Sequence, residues 1–204
     1  AICKIPNLCI YLAGSGARSI SGNLANCLDL AAVVAACNTP DCPPGTVNLS
    51  TQAQVNQFKI DYPTCTKISG NLQIGGANVT DLSPLSNITN VAGEIFISDS
   101  GLQNLNGLNN ISQLSGRLVV IGNPTLSNLH GLSNLTSING IISIDNNATL
   151  TDISGIENIN SNVITELYIQ NNPVLSVCDY DNVCAYLQSS KPRNISGNLA
   201  NCLN

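Results

Sequence analysis

A mainly β solenoid, with short parallel strands stacked at leucine-rich-repeat spacing, is the fold class the sequence predicts, and three observations predict it. The segments VTDLSPLSNITNVAGEIFI from Val79, LQNLNGLNNISQLSGRLVV from Leu102, LSNLHGLSNLTSINGIISI from Leu126 and LTDISGIENI from Leu150 share the pattern L-x-x-L-x-G-L-x-x-I-x-x-L-x-G-x-L-x-I. The strand centres Leu72, Ile95, Leu118, Ile142 and Leu167 fall 23, 23, 24 and 25 residues apart, a period that belongs to stacked repeats. Aromatics make up 3% of the 204 residues, and Trp and Met are absent. The core must therefore be Leu, Ile, Val and Ala, which suits thin repeated layers better than a globular enzyme core.

Each element follows from local pattern. Residues 1–37 read as the C-terminal cap of a preceding module, ending in a helix at Leu28–Cys37 with Asp29 as N-cap. Asn38–Thr46, NTPDCPPGT, is rich in Pro, Asp and Gly and reads as the junction between modules. The module itself covers 42–204. It opens with a helix at Ser50–Pro63, with Ser50 or Thr51 as cap and Val55, Phe58 and Ile60 on or near one side. In each L-x-I the two apolar side chains share one face of a strand, and the residue between them points to solvent. Gly107, Gly131 and Gly155 supply backbone angles at the corners. IGNPT near Asn123, DNNAT near Asn146 and QNNPV near Asn171 are turns, because Asn bonds neighbouring backbone and tolerates left-handed angles; stacked, they would form an Asn ladder. Asp181–Leu187 reads as a short helix containing Cys184, inside the module's own cap at 178–204.

A longer period encloses the short one. Shifting the sequence by 175 residues aligns Ala1–Asp29 with Ser176–Asn204, and 16 of the 29 pairs are identical, ISGNLANCL recurring in full. Cys3, Cys9 and Cys27 fall on Cys178, Cys184 and Cys202, so each period holds six Cys. Nine Cys without zinc-ribbon or CxxC spacing indicate an oxidising, extracellular setting. The absence of Met and the start at Ala1 are read as a cut inside a longer polypeptide or after processing. The longest apolar stretch, Leu30–Cys37, is far short of a membrane span, so no direct membrane insertion is expected.

From Cys42 to Asn204 the order CPPGTVNLSTQAQVNQFKIDYPTCTKISGNLQI, then the repeated pattern, then a Cys-bearing cap, resembles the receptor L domain. That family includes the ligand-binding modules of insulin and epidermal growth factor receptors and many secreted surface proteins of Bacteroidota. The resemblance implies a right-handed parallel β-helix of about five to six rungs with helical, disulfide-bonded end caps, and a surface or adhesive role. Cys42 and Cys65 flank the first helix of the module and are expected to be bonded. Among Cys3, Cys9, Cys27 and Cys37 three pairings are open. The alternating order of other solenoid caps selects Cys3–Cys27 and Cys9–Cys37, and by the repeat Cys178–Cys202. Cys184 is then left to pair with a following module.

Function classes narrow by what is scarce. With 9% charged residues and a net charge of −5, nucleic acid is excluded as a partner. His130 is the single His, and its aligned counterparts Ser83, Asn106 and Ser154 mark it as a solvated corner residue. Glu94, Arg117 and Glu166 recur just before the inward Leu or Ile and suggest a surface charge ladder worth a few tenths of a kcal/mol per pair. No metal site and no cofactor is expected, since the turns carry no calcium-loop motif. Seven N-x-S/T sequons, at Asn48, Asn78, Asn87, Asn110, Asn134, Asn147 and Asn194, are candidate glycosylation sites. The outward strand residues Gln73, Phe96, Val119, Ser143 and Tyr168 place two of seven aromatics on one face and form the candidate binding face for protein or glycan. The expectation is a non-enzymatic tandem-repeat module of a long surface adhesin or filament, its partners being neighbouring copies end to end. A ligand-binding receptor ectodomain is the alternative, and a β-helix carbohydrate-active enzyme ranks last.

Overall fold

The chain divides into two units, Ala1–Asp41 and Cys42–Asn204, and the computed structural model describes residues 41–199. The helix expected at Leu28–Cys37 and the pairs Cys3–Cys27 and Cys9–Cys37 lie outside the described residues. In chain order the strands are β1 (Val47–Leu49), β2 (Lys67–Ile68), β3 (Leu72–Gly75), β4 (Asn90–Val91), β5 (Ile95–Ser98), β6 (Gln113–Leu114), β7 (Leu118–Ile121), β8 (Ser137–Ile138), β9 (Gly140–Asp145), β10 (Ile164–Gln170) and β11 (Arg193–Ser196). Seven of them form one parallel sheet, in the order β1-β3-β5-β7-β9-β10-β11, and β2-β4-β6-β8 form a second. Leu72, Ile95, Leu118, Ile142 and Leu167 are successive register partners, as their spacing implies.

Among the described residues, this α/β arrangement of two open parallel sheets and two helices replaces the closed β-helix solenoid, with its five to six rungs, that the sequence suggested. The cause is local hydrogen bonding. Ser83–Leu85, His130–Leu132 and Ser154–Ile156 are 3-10 turns. The N–H groups of Leu85, Leu132 and Ile156 donate to Leu82, Leu129 and Ile153 three residues back, which takes them out of any ladder along a third wall. The small sheet is only two residues wide and stops at β8, where the 3-10 turn Ser161–Val163 takes the next place. Among the described residues both sheets therefore end in open edges.

The core lies between the sheets and the turns, and its Leu and Ile side chains from Leu72 to Ile169 are essentially inaccessible to water. Of the three corner glycines only Gly107 has a left-handed backbone, φ +107°. Gly131 and Gly155 are needed for close approach instead: a Cβ at Gly155 would sit 1.7 Å from the Leu129 carbonyl oxygen and one at Gly131 2.0 Å from that of Leu105.

The turns after the large-sheet strands share one solution. Gly76, Asp99, Gly122, Asn146, Asn171 and Gly197 all hold positive φ at the same place in successive turns, a backbone that Gly, Asn and Asp tolerate best. The residue that follows then points inward and builds the Asn ladder one position along from Asn146 and Asn171. Ser100 Oγ donates to Asn123 Oδ1 (2.7 Å), Asn123 Nδ2 to Asn147 Oδ1 (3.1 Å), Asn147 Nδ2 to Asn172 Oδ1 (3.1 Å) and Asn172 Nδ2 to Asn198 Oδ1 (3.1 Å). Asn123, Asn147 and Asn172 are fully buried, and amides are affordable there because each is hydrogen-bonded through both its oxygen and its nitrogen.

Helix α1, Gln52–Asp61, starts at Thr51, whose side chain accepts from the Gln54 N–H while Gln54 reaches back to the cap. Val55 and Phe58, three apart, are buried, whereas Ile60, two further on, is 62% exposed rather than on the packed side. Gln52 fixes the helix to the next turn, accepting from the Thr80 and Asp81 N–H groups and donating to the Asp81 carbonyl. The Cys42–Cys65 disulfide closes the segment around α1. Helix α2, Asp181–Leu187, buries Val183 and Tyr186.

Candidate functional site

Strand alternation sends every second residue of the large sheet outward, and the parallel register aligns those residues into rows. Asn48, Gln73, Phe96, Val119, Ser143, Tyr168 and Asn194 form one row across all seven strands. Its central five members are half-buried and its two ends are exposed. The five candidate binding-face residues thus lie side by side on one surface.

The row beside it runs through Asn71, Glu94, Arg117, Ile141 and Glu166, and here the charge ladder is shorter than expected. Arg117 Nε donates to the Glu94 carboxylate, the acid nearly buried and the base 56% exposed. Ile141 is the register partner of Glu166, so an apolar residue separates Glu166 from Arg117. Glu166 instead accepts from Tyr168 Oη at 2.6 Å. That hydrogen bond, then loss of hydration, raises the phenol above its ordinary pKa.

Near the β1 edge the two rows border a groove of about 500 Å³. Gly75 and Gly76, without side chains, form its floor at one end, Asn48, Gln73 and Phe96 cross its middle, and the Glu94–Arg117 pair lies at the other end. The floor requires glycine, since a Cβ at Gly76 would lie 2.4 Å from the Ser50 carbonyl oxygen and one at Gly75 2.9 Å from that of Ser98.

His130 is a solvent-exposed corner residue, as the sequence suggested, but an acid stands beside it. Its Nε2 lies 2.9 Å from Asp152 Oδ2, and Tyr180 Oη donates to the other carboxylate oxygen. Burial would raise the Asp152 pKa, but hydrogen bonds from Tyr180, the Ser154 N–H, His130 and the Ser154 hydroxyl hold it below the ordinary value. Burial, then the bond to Asp152, pushes the Tyr180 phenol strongly upward. Ser154 Oγ donates to Asp152, and the cluster ties three turns together. A signal for it was present: Asp81, Asn104, Asn128 and Asp152 each sit two residues before a corner residue and accept its N–H.

The sequons divide by environment. Asn48, Asn78, Asn110, Asn134 and Asn194 are exposed and Asn87 is half-buried. Asn147 is a rung of the internal ladder with 0% exposure, which removes it as a glycan site in the folded chain. Asn87, Asn110 and Asn134, together with Asn158, each donate through Nδ2 to a carbonyl of the preceding turn, at Pro63, Ser86, Asn109 and Ser133. These sequons fall on a structural position that the short period repeats. Cys184 is a half-buried free thiol. Cys178 is disulfide-bonded, and Cys202, its expected partner, lies outside the described residues. Among the described residues no three His, Cys, Asp or Glu side chains are grouped to hold a metal ion, and no helix is long and apolar enough to cross a membrane.

A family model described as Receptor L domain matches residues 64–126, the stretch from the end of the α1 loop through β7. No curated protein and no solved structure matches the chain. A receptor L domain is consistent with a ligand-binding ectodomain, and together with the Cys42–Cys65 disulfide it indicates an extracellular domain.

Proposed function

We propose, from the premise that residues 64–126 belong to the receptor L domain family, that this chain is a non-enzymatic, extracellular binding module which recognises its partner with the outer face of the large sheet. The observation that carries the proposal is the unbroken row Gln73, Phe96, Val119, Ser143 and Tyr168, in register on five adjacent strands. An aromatic-poor chain that sets both Phe96 and Tyr168 on one half-exposed row has the anchors a recognition surface needs. The family supports ligand binding only by analogy of fold; the row supports it by chemistry.

The finer role is a repeated module of a surface adhesin or filament, with copies joined end to end. Its support is the 16 identities among 29 pairs at a shift of 175 residues, by which the segment from Ser176 reads as a second copy of the segment at Ala1. A single receptor ectodomain is the second role, favoured by the family match. The length of the parent chain separates them: many copies mean a filament, and two copies with a membrane span mean a receptor. Binding itself is tested by coating beads with the oxidised module and measuring attachment to host-cell or matrix surfaces. The double variant Phe96→Ala/Tyr168→Ala should fold and lose attachment; a folded double variant that attaches as well as the parent overturns the proposal.

A further inference from the structure

We infer that the groove floored by Gly75 and Gly76 binds a neutral oligosaccharide. The inference rests on the proposed role of the outer sheet face and assigns its ligand class. At about 500 Å³ the groove has the size of small-molecule sites, and its lining decides among ligands. Asn48 and Gln73 offer side-chain amides, and Ser50 and Ser98 stand at the same groove, so donors and acceptors are mixed, as vicinal hydroxyls require. Phe96 supplies one half-exposed ring, a surface on which the C–H face of a pyranose packs. Arg117 contributes Nε to Glu94, which leaves the remaining guanidinium donors beside an acceptor carboxylate, again a paired donor and acceptor.

Other ligand classes fit less well. An anionic ligand would face an Arg117 already neutralised by Glu94, on a chain of net charge −5. A peptide adding itself as a strand would pair with the outer edge of β1 and not over the groove, because the β3 and β5 backbones beneath it are engaged in the sheet with their neighbours on both sides. An apolar peptide helix would want several aliphatic anchors, where this lining has Phe96 and little else. The floor stays free of side chains, because a Cβ at either floor glycine would meet backbone oxygen. Asn48, a sequon residue, lines the same groove, so a glycan attached there would compete for the site.

The test uses the whole 204-residue chain, isotope-labelled and oxidised, from a host that adds no N-glycans. Neutral trisaccharides of glucose, mannose, galactose and N-acetylglucosamine are titrated to about 10 mM, enough to populate a millimolar complex, and amide resonances are followed. At least one sugar should give saturable shifts centred on residues 73–76 and 96–98. Its affinity should fall at least tenfold in Phe96→Ala and in Ser98→Trp, which fills the groove from the side of the floor, and stay unchanged in Val174→Ser at a distant exposed site. Gln73→Ala, on the same solvent-facing row, serves if Phe96→Ala loses its dispersed spectrum. No shift from any of the four sugars, shifts centred elsewhere, or a response only to sulfated or uronic-acid chains overturns the inference. If bead attachment falls with Phe96→Ala/Tyr168→Ala while no sugar shifts the groove, the inference fails and the binding face stands. The reverse outcome sinks the binding face and leaves the sugar groove.

Discussion

Replacing Asn147 by Leu keeps the branching and heavy-atom count of the side chain and deletes the hydrogen bonds at the middle of the ladder. The Asn123 backbone N–H, which donates to Asn147 Oδ1 at 3.1 Å inside the core, then has no acceptor, at a cost of about 1–3 kcal/mol. Asn147 Nδ2 also serves Val120 O at 3.0 Å, Asp145 O at 3.1 Å and Asn172 Oδ1 at 3.1 Å, and losing its two protons removes about 1 kcal/mol each. The expected destabilisation is about 3–5 kcal/mol, which for a chain of this size lowers Tm by roughly 6–20 °C. Thermal and urea unfolding of Asn147→Leu and of its exposed neighbour Asn146→Ala measure the contrast. Asn146→Ala places alanine at φ +55° and should cost only about 1 kcal/mol. An Asn147→Leu protein within about 0.5 kcal/mol of the parent, the range of an ordinary surface change, would refute the claim that the ladder carries the turns.

Three further outcomes follow from the geometry. Cys42→Ser/Cys65→Ser, opening a bridge across a sequence separation of 23, should cost about 3 kcal/mol by the chain-entropy relation and lower Tm; an unchanged unfolding curve contradicts the role given to the bridge. Asp152 has a folded-state pKa below its ordinary 3.8, so its contribution is complete above that value and is lost as pH falls through the lowered one. The stability gap between the parent and Asp152→Asn should therefore be full at neutral pH and narrow once the pH falls below 3.8, and a gap that widens on acidification refutes it. Glycopeptide mapping after secretion from a eukaryotic host should find Asn147 bare, even where exposed Asn78 and Asn110 are occupied; a folded chain glycosylated at Asn147 would show that the ladder position is misplaced.

What the residues disclosed depended on whether a signal repeated along the chain. The 23- to 25-residue spacing was enough to place Leu72 through Leu167 in register and Gln73, Phe96, Val119, Ser143 and Tyr168 in one outward row, because a parallel sheet copies sequence spacing into space. Helix α2 was legible to the residue, and α1 through its Thr51 cap. The closed solenoid was not there: L-x-x-L-x-G-L says that the chain turns, but not that its N–H groups bond three residues back and leave the sheets open. Ile60 stands two residues from Phe58, an offset that carries it away from the packed side of α1 that apolarity alone suggests. Glu166 shares its spacing with Glu94 and Arg117, but the intervening position, Ile141, carries no charge and interrupts the ladder. The Asp152 partner of His130 is invisible to a comparison of like positions, because the contact joins one turn's corner to the Asx residue of the next.

Competition on living cells tests the central claim most directly, that the outer row of the large sheet is the surface by which the chain binds. Soluble module is added to cells that present the parent protein, and the concentration that halves their attachment is measured for the parent sequence, Val174→Ser and Phe96→Ala/Tyr168→Ala. The account predicts equal inhibition by the first two and at least tenfold weaker inhibition by the third, with all three giving the same unfolding curve. Equal inhibition by all three folded proteins would show that the binding surface lies elsewhere.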